Sequence, residues 1–337
     1  MIHSIIFIIL KVYNMNIISL FSGAGGLDLG FKNAGFNIIW ANEFDKNIEK
    51  THKLNFPETL LIVNSITNIN EKEIPDCVGI IGGPPCQAFS EAGAKKGTQD
   101  NRGQLFWDYI RVLKHKKPMF FVAENVSGLL AERHSKDLKA FIKAFDEAGY
   151  NTNINLYNAS DYGVPQDRER LIFVGYRKDL NKNFNPPKKE LKKKSLKEAI
   201  GDLSYPESVK NGQISINSIN NHEYMLGDFS SMFMSRNRVR SWEEQSFTIL
   251  ATARQIPLHP QAPKMEKIGV DKFKFSLNKE HLYRRLSVRE CARIQTFPDD
   301  FKFVYSKIEH GYKMVGNAVP VLLAQKIAET IMIDLFK

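Results

Sequence analysis

The chain predicts an α/β protein built on a doubly wound, mostly parallel sheet, with a second, smaller and irregular domain. Three observations carry that expectation. Short apolar runs alternate with helix-like stretches over residues 16–176, the pattern of a sheet covered by helices on both faces. The turn between the first apolar run and the first helical stretch is glycine-rich, Ser22-Gly23-Ala24-Gly25-Gly26. At Lys178 the alternation stops, and short segments bearing arginines and aromatic residues follow.

In chain order the strands expected are 17–21, 37–41, 60–63, 78–81, 119–123, 153–157 and 171–175. Helices are expected at 26–34, 46–55, 103–115 and 135–148, several closed by a glycine or asparagine stop. Asn185-Pro186-Pro187 and the lysine-rich 188–197 mark a boundary, and the stretch to about 219 is polar. A short helix at 287–297, begun by serine and stopped before Pro298, and a long amphipathic helix at 318–336 complete the chain. These divisions give a large domain at 15–180, a small one at 181–300 and a segment, 301–337, returning to the large domain. Residues 1–14, an upstream extension or a misassigned start, receive no function. Their apolar run is too short to span a bilayer, and without a preceding basic residue or a cleavage site it does not read as a signal peptide.

With 337 residues and a formal net charge of +10, the chain reads as soluble and globular, with a polyanion as a fitting partner because basic clusters release counterions from phosphate. Three cysteines, Cys77, Cys86 and Cys291, show no paired metal-ligand spacing. They argue against a disulfide framework or zinc site and for a reducing compartment, the cytoplasm.

The segment richest in chemistry is Gly82-Gly83-Pro84-Pro85-Cys86-Gln87. Glycines let a strand end abruptly, and two prolines fix φ, so the thiol sits on a rigid shelf as a covalent nucleophile requires. The alternative is a buried structural cysteine. The glycine turn offers free N–H groups at a helix start, and Glu43 ends the second strand about 20 residues on, where an acid accepts from a ribose diol. An adenosine-containing cofactor follows, with a nicotinamide dinucleotide and S-adenosylmethionine both open. Glu124-Asn125-Val126 ends the fifth strand on the same sheet edge. Arg168 and Arg170, two apart in an extended run, point to one face, unless Asp167 and Glu169 merely pair with them on a solvated strand.

Phe21-Ser22-Gly23-Ala24-Gly25-Gly26, Pro84-Pro85-Cys86-Gln87, Glu124-Asn125-Val126, Gln166 to Arg170, Arg285 to Pro298 and Gly316-Asn317-Ala318-Val319-Pro320 resemble, in order, the motifs of DNA (cytosine-5) methyltransferases. The resemblance runs along nearly the whole chain from Asn16. It is nearest to the HaeIII-type group, which modifies the inner cytosine of GGCC, on Asn221-His222-Glu223-Tyr224, Met234 to Arg240 and Leu258-His259-Pro260-Gln261-Ala262-Pro263.

The resemblance implies a Rossmann-like, S-adenosylmethionine-dependent enzyme with Cys86 adding to cytosine C6, Glu124 donating toward N3, and Arg168 and Arg170 holding the base oxygen and nearby backbone. The target base must flip from the duplex. Around the cofactor it places Phe21, Ala24, Gly25, Gly26 and Leu27, with Glu43 on the ribose and Ser65, Ile66, Pro84, Leu105, Asn317 and Ala318 nearby. Arg236, Arg238 and Arg254 match guanine-reading arginines, whose fork fits O6 and N7; phosphate contact is the alternative. No metal is implied. The implied setting is a type II restriction-modification system in which a monomeric enzyme protects host DNA from an endonuclease of the same site.

Two departures stand out. Where the family usually has an aspartate accepting from the adenine amino group, this chain has Asn64-Ser65-Ile66, and Ala88-Phe89 stands where the HaeIII type has serine and tryptophan. The nearest rival is a tRNA cytosine-5 methyltransferase. A nicotinamide dehydrogenase leaves Cys86 and Glu124 without a joint role, and the same two residues argue against a catalytically silent DNA-binding module.

Overall fold

A computed structural model describes residues 15–85, 101–210 and 220–337, with only the backbone for 101–103. The large domain runs β1 (Asn16–Leu20), α1 (Gly26–Asn33), β2 (Asn37–Glu43), α2 (Glu49–Asn55), β3 (Leu60–Val63), β4 (Gly79–Gly82), α3 (Asn101–Lys116), β5 (Phe120–Val126), α4 (Ser135–Glu147), β6 (Tyr150–Asn158) and β7 (Glu169–Arg177). After it come α5 (Leu196–Ile200), β8 (Glu207–Val209), β9 (Glu223–Met225), β10 (Glu266–Gly269), β11 (Lys272–Lys274), α6 (Val288–Ile294), α7 (Ile308–Asn317) and α8 (Val321–Phe336).

The seven strands order as β3-β2-β1-β4-β5-β7-β6. Strands β1 to β5 pair in parallel, whereas β7 runs antiparallel to both β5 and β6. The reversal follows from the connection: residues 159–168 return the chain without a crossover helix, and a parallel neighbour needs one. The winding order reverses between β1 and β4, and in sheets of this kind ligands bind beyond the carboxyl ends of the strands at that point.

Strand alternation sorts the core. Ile17 faces a cluster with Phe31, Phe36, Phe120, Leu323 and Ile327, while its neighbour Ile18 faces Phe106, Tyr109, Phe121 and Phe145. Helices α1 and α8 thus cover one face, α3 and α4 the other. The approach of α1 to α8 requires Gly30, where a Cβ would lie 2.4 Å from that of Ala324. A third cluster joins Ala24, Ile48 and Phe56 to Leu196, Ile249, Cys291 and Tyr312, tying the large domain to α5, α6 and α7. A satellite core of Phe233, Val239, Leu258, Met265 and Tyr283 supports the small domain.

The structure differs from expectation at 301–337. Helix α7 is additional to the expected elements, and the long final helix begins at Val321, not 318. Gly311 and Gly316 disguise α7 in the sequence; each is there because Tyr305 and the Leu250 carbonyl leave no room for a Cβ. Capping boxes at Ser195 and Ser287 open α5 and α6. Among the described residues no helix is long and apolar enough to cross a membrane.

Candidate active site

The candidate site is built on the carboxyl ends of these strands. Gly82 closes β4 against Leu20, whose carbonyl oxygen would lie 2.2 Å from an added Cβ. Beyond it the buried Pro84 offers its carbonyl to Asn125 Nδ2 at 3.2 Å, which fastens the base of the proline shelf to the end of β5. Cys86, Gln87, Ala88 and Phe89 lie outside the described residues. The other two thiols are poor nucleophiles: burial pushes Cys77 up to about 12 and Cys291 well above its ordinary value.

Glu124 stands beside the shelf, its Oε2 being 3.3 Å from where a Cβ on Gly83 would lie. Its Oε1 is 2.8 Å from Arg170 Nε. Arg168 goes elsewhere. Fully buried, it donates to the carbonyls of Ile249 (2.9 Å), Gly316 (2.8 Å) and Ala318 (3.0 Å). The two arginines therefore have separate roles. Arg170 addresses the Glu124 carboxylate, while Arg168 bolts the start of β7 to the segment at Ile249 and to the end of α7. Arg168 precedes the first residue of β7, Glu169, so the alternation expected of an extended run does not govern it.

The glycine turn is strained where a ligand would approach. Phe21, Gly23 and Gly25 all have positive φ. A Cβ on Gly23 would meet nothing within 4 Å, whereas one on Gly25 would strike the Phe56 ring at 2.3 Å and one on Gly26 the Val319 carbonyl at 2.5 Å. Gly25 and Gly26 are thus demanded by packing, and Gly23 borders open space. Ala24 and Leu27 are buried in the flanking cores. Glu43 accepts from Gly23 N at 2.9 Å and from Phe44 N and Asp45 N at 2.8 Å each, which holds its carboxylate against the turn with acceptor capacity to spare. Ser65 is half-buried at the adjacent strand end, Ile66 is buried beneath it, and Leu105 is partly buried on α3. Asn317 ends α7 exposed, and Ala318 follows it buried. A carboxylate with free acceptor capacity thus lies beside a glycine that borders open space.

Three polar networks are not legible in the sequence. Asp28, at the start of α1, accepts from Ser19 Oγ at 2.5 Å and contacts His52 Nε2 at 3.1 Å, all of them solvent-inaccessible. Asp108 and Arg111 of α3 grip the loop after β3. Arg284 and Glu290 form a buried two-pronged pair. A sequence shows charge, not which carbonyls or hydroxyls fold onto it.

In the small domain the three selected arginines separate. Arg236 and Arg254 are exposed. Arg238 is buried, donating to the carbonyls of Phe233 (2.9 Å) and Met232 (3.1 Å) and to Gln255 Oε1 (2.9 Å), with its guanidinium over the Phe233 ring. Burial, aided by Arg236, lowers it to about 10. Among the lysines of 188–197, Lys189 and Lys193 pair with Asp161, and Lys192 with Glu198.

Known proteins share this architecture. The family model described as C-5 cytosine-specific DNA methylase matches residues 15–332. The chain is 54% identical over 328 residues to the type II methyltransferase M.NgoPII of Neisseria gonorrhoeae, spanning 95% of this chain and 96% of that one. It is 56% identical over 324 residues to the type II methyltransferase M.FnuDI of Fusobacterium nucleatum, spanning 94% of each. Among solved structures, a Spodoptera frugiperda DNMT2 variant superposes with a TM-score of 0.70 at 20% identity, covering 96% of this chain and 99% of that one, a likeness of fold.

Proposed function

This chain belongs to the C-5 cytosine-specific DNA methylase family, and we propose that it methylates the inner cytosine of GGCC in duplex DNA with S-adenosylmethionine as donor. By its relatives it is a type II cytosine-C5 methyltransferase. The observation that supports the proposal most is the Glu124 carboxylate, held by Arg170 at 2.8 Å beside Gly83, three residues before Cys86.

Cytosine C5 is too weak a nucleophile to be alkylated unaided. Attack of the Cys86 thiolate on C6 forms an S–C bond and pushes electron density to C5, provided the charge arriving at N3 is met by a proton. Glu124, in its protonated form, would deliver that proton, with Arg170 fixing its orientation. Arg168 acts at one remove, fastening the floor of the site to the domain that reads DNA. S-adenosylmethionine, when bound, supplies an electrophilic sulfonium methyl group. Glu43 and the turn at Gly23 would hold its ribose, with Pro84 and Asn317 bordering its remainder. After alkylation, loss of the C5 proton and expulsion of Cys86 restore the aromatic ring. Exposed Arg236 and Arg254 are suited to guanine edges; Arg238 supports the segment that carries Arg236.

Bisulfite sequencing of plasmid from cells expressing the protein tests the reading. Methylation at the inner cytosine of GGCC is expected, and its loss in Cys86→Ala with duplex binding retained. Modification at another site, or of tRNA alone, would overturn the assignment.

A further inference from the structure

The buried trio of Ser19, Asp28 and His52 has no part in the chemistry above, yet it adjoins the glycine turn. Ser19 and His52 each bond Asp28 and not one another, and all three are solvent-inaccessible, so this is no nucleophile with its base. His52 Nδ1 finds no partner among the described residues. The ring hydrogen that has a use is therefore the one on Nε2, donated to Asp28 Oδ2 at 3.1 Å. Asp28 sits in the first turn of α1, three residues past Gly25.

From α2 the contact continues to Phe56, one helical turn beyond His52. The two rings lie 4.7 Å apart, and Phe56 N donates to the His52 carbonyl at 2.8 Å. Phe56 in turn crowds Gly25, where an added Cβ would stand 2.3 Å from the ring and φ is 92°. Helix α2 is itself anchored, because Thr51 Oγ1 accepts from Val304 N and Asn55 Nδ2 donates to the Lys302 carbonyl, each at 2.8 Å. An apolar layer would stabilise this joint as well, since buried charged pairs gain little over hydrophobic packing. What the directional bonds add is a fixed angle between α2 and the turn.

We propose that His52, oriented by Asp28, is a positioning residue for cofactor binding: through Phe56 it holds Gly25, and with it the turn at Gly23, in the shape the cofactor enters. The inference rests on the cofactor reading above. Neither His52 nor Asp28 touches the ligand.

Calorimetric titration of the full chain with S-adenosylhomocysteine, and methylation of plasmid DNA with S-adenosylmethionine varied, test the proposal together. His52→Ala is expected to weaken S-adenosylhomocysteine binding and raise KM for S-adenosylmethionine roughly tenfold, with kcat at saturation changed by less than about threefold, the mark of lost ground-state binding. His52→Gln, whose amide can still donate to Asp28, should bring KM back to within about threefold of native. Phe56→Leu leaves the buried pair intact and should reproduce the rise, so it decides the matter if His52→Ala does not fold. Melting temperatures verify the fold of each variant. Native affinity in the folded variants, or a loss of kcat at unchanged KM, overturns the positioning role; failure of the native protein to bind S-adenosylhomocysteine overturns the cofactor reading instead.

Discussion

Arg170 lies directly opposite Val126 in the β5–β7 ladder, and its guanidinium reaches diagonally along the sheet to Glu124, Nε to Oε1 at 2.8 Å. Residues two apart on one strand share a face, and a diagonal neighbour is within reach of a long side chain. The pair therefore depends on sheet register, which orients the carboxyl before any substrate arrives. Glu124→Gln is expected to lower single-turnover methylation by roughly 10²–10⁴-fold, the usual worth of a positioned acid, with duplex binding preserved. Near-native turnover would exclude Glu124 from proton delivery.

Arg168→Ala should behave differently. Three backbone carbonyls lose a charged donor, and each buried unsatisfied acceptor costs about 1–3 kcal/mol. Denaturant titration should show a loss of at least about 3 kcal/mol, whereas Arg170→Ala should lose activity with little change in midpoint. Equal stability of the two variants would refute the division of labour.

Specificity gives a second contrast. Arg236→Ala and Arg254→Ala are each expected to relax discrimination between GGCC and singly mismatched duplexes by about 1–3 kcal/mol if they read guanine. Phosphate contact would instead weaken all sequences alike and flatten the salt dependence. Arg238→Ala should lower the melting temperature, because the Phe233 and Met232 carbonyls and Gln255 lose their partner.

Acid should weaken the fold through His259. Burial, opposed by Glu290 and assisted by Arg284, lowers this imidazole from 6.5 to about 4, and its Nδ1 accepts from Gln261 N at 3.2 Å. Above pH 6.5 the ring is neutral in both states, and its contribution is fully present. As pH falls from 6.5 toward 4 the unfolded chain takes up the proton first, so stability drops, by up to about 3 kcal/mol, and levels off below 4. Urea unfolding between pH 4 and 7 should show this slope diminished in His259→Gln; an identical slope would assign the acid sensitivity to other groups.

The sequence made the sheet readable wherever both faces are buried. Ile80 and Ile81 at the centre are fully buried on opposite faces, so their strand is a continuous apolar run. Glu43 and Glu124 were also legible, because strand ends place a polar residue at a predictable edge. Side-chain destinations were not. Arg168, Arg238 and Arg285 are no different in composition from Arg170 or Arg236; what separates them is a set of carbonyls brought from distant segments, such as Ile249 and Gly316 for Arg168 or Met225 and Gly227 for Arg285. The bond from Thr67 to Asp108 was hidden for the same reason, since the two lie 41 positions apart.

The closeness of Gly30 to Ala324 has a consequence for synthesis. Phe31 and Phe36 share a cluster with Leu323, Ile327 and Ile331, which are made much later in translation. A growing polypeptide stalled before position 319 leaves that oily surface uncovered and the turn at Gly26 without its Val319 neighbour. Closure of this core is thus a late event in folding, open to the chain only once residues 321–336 exist to cover it.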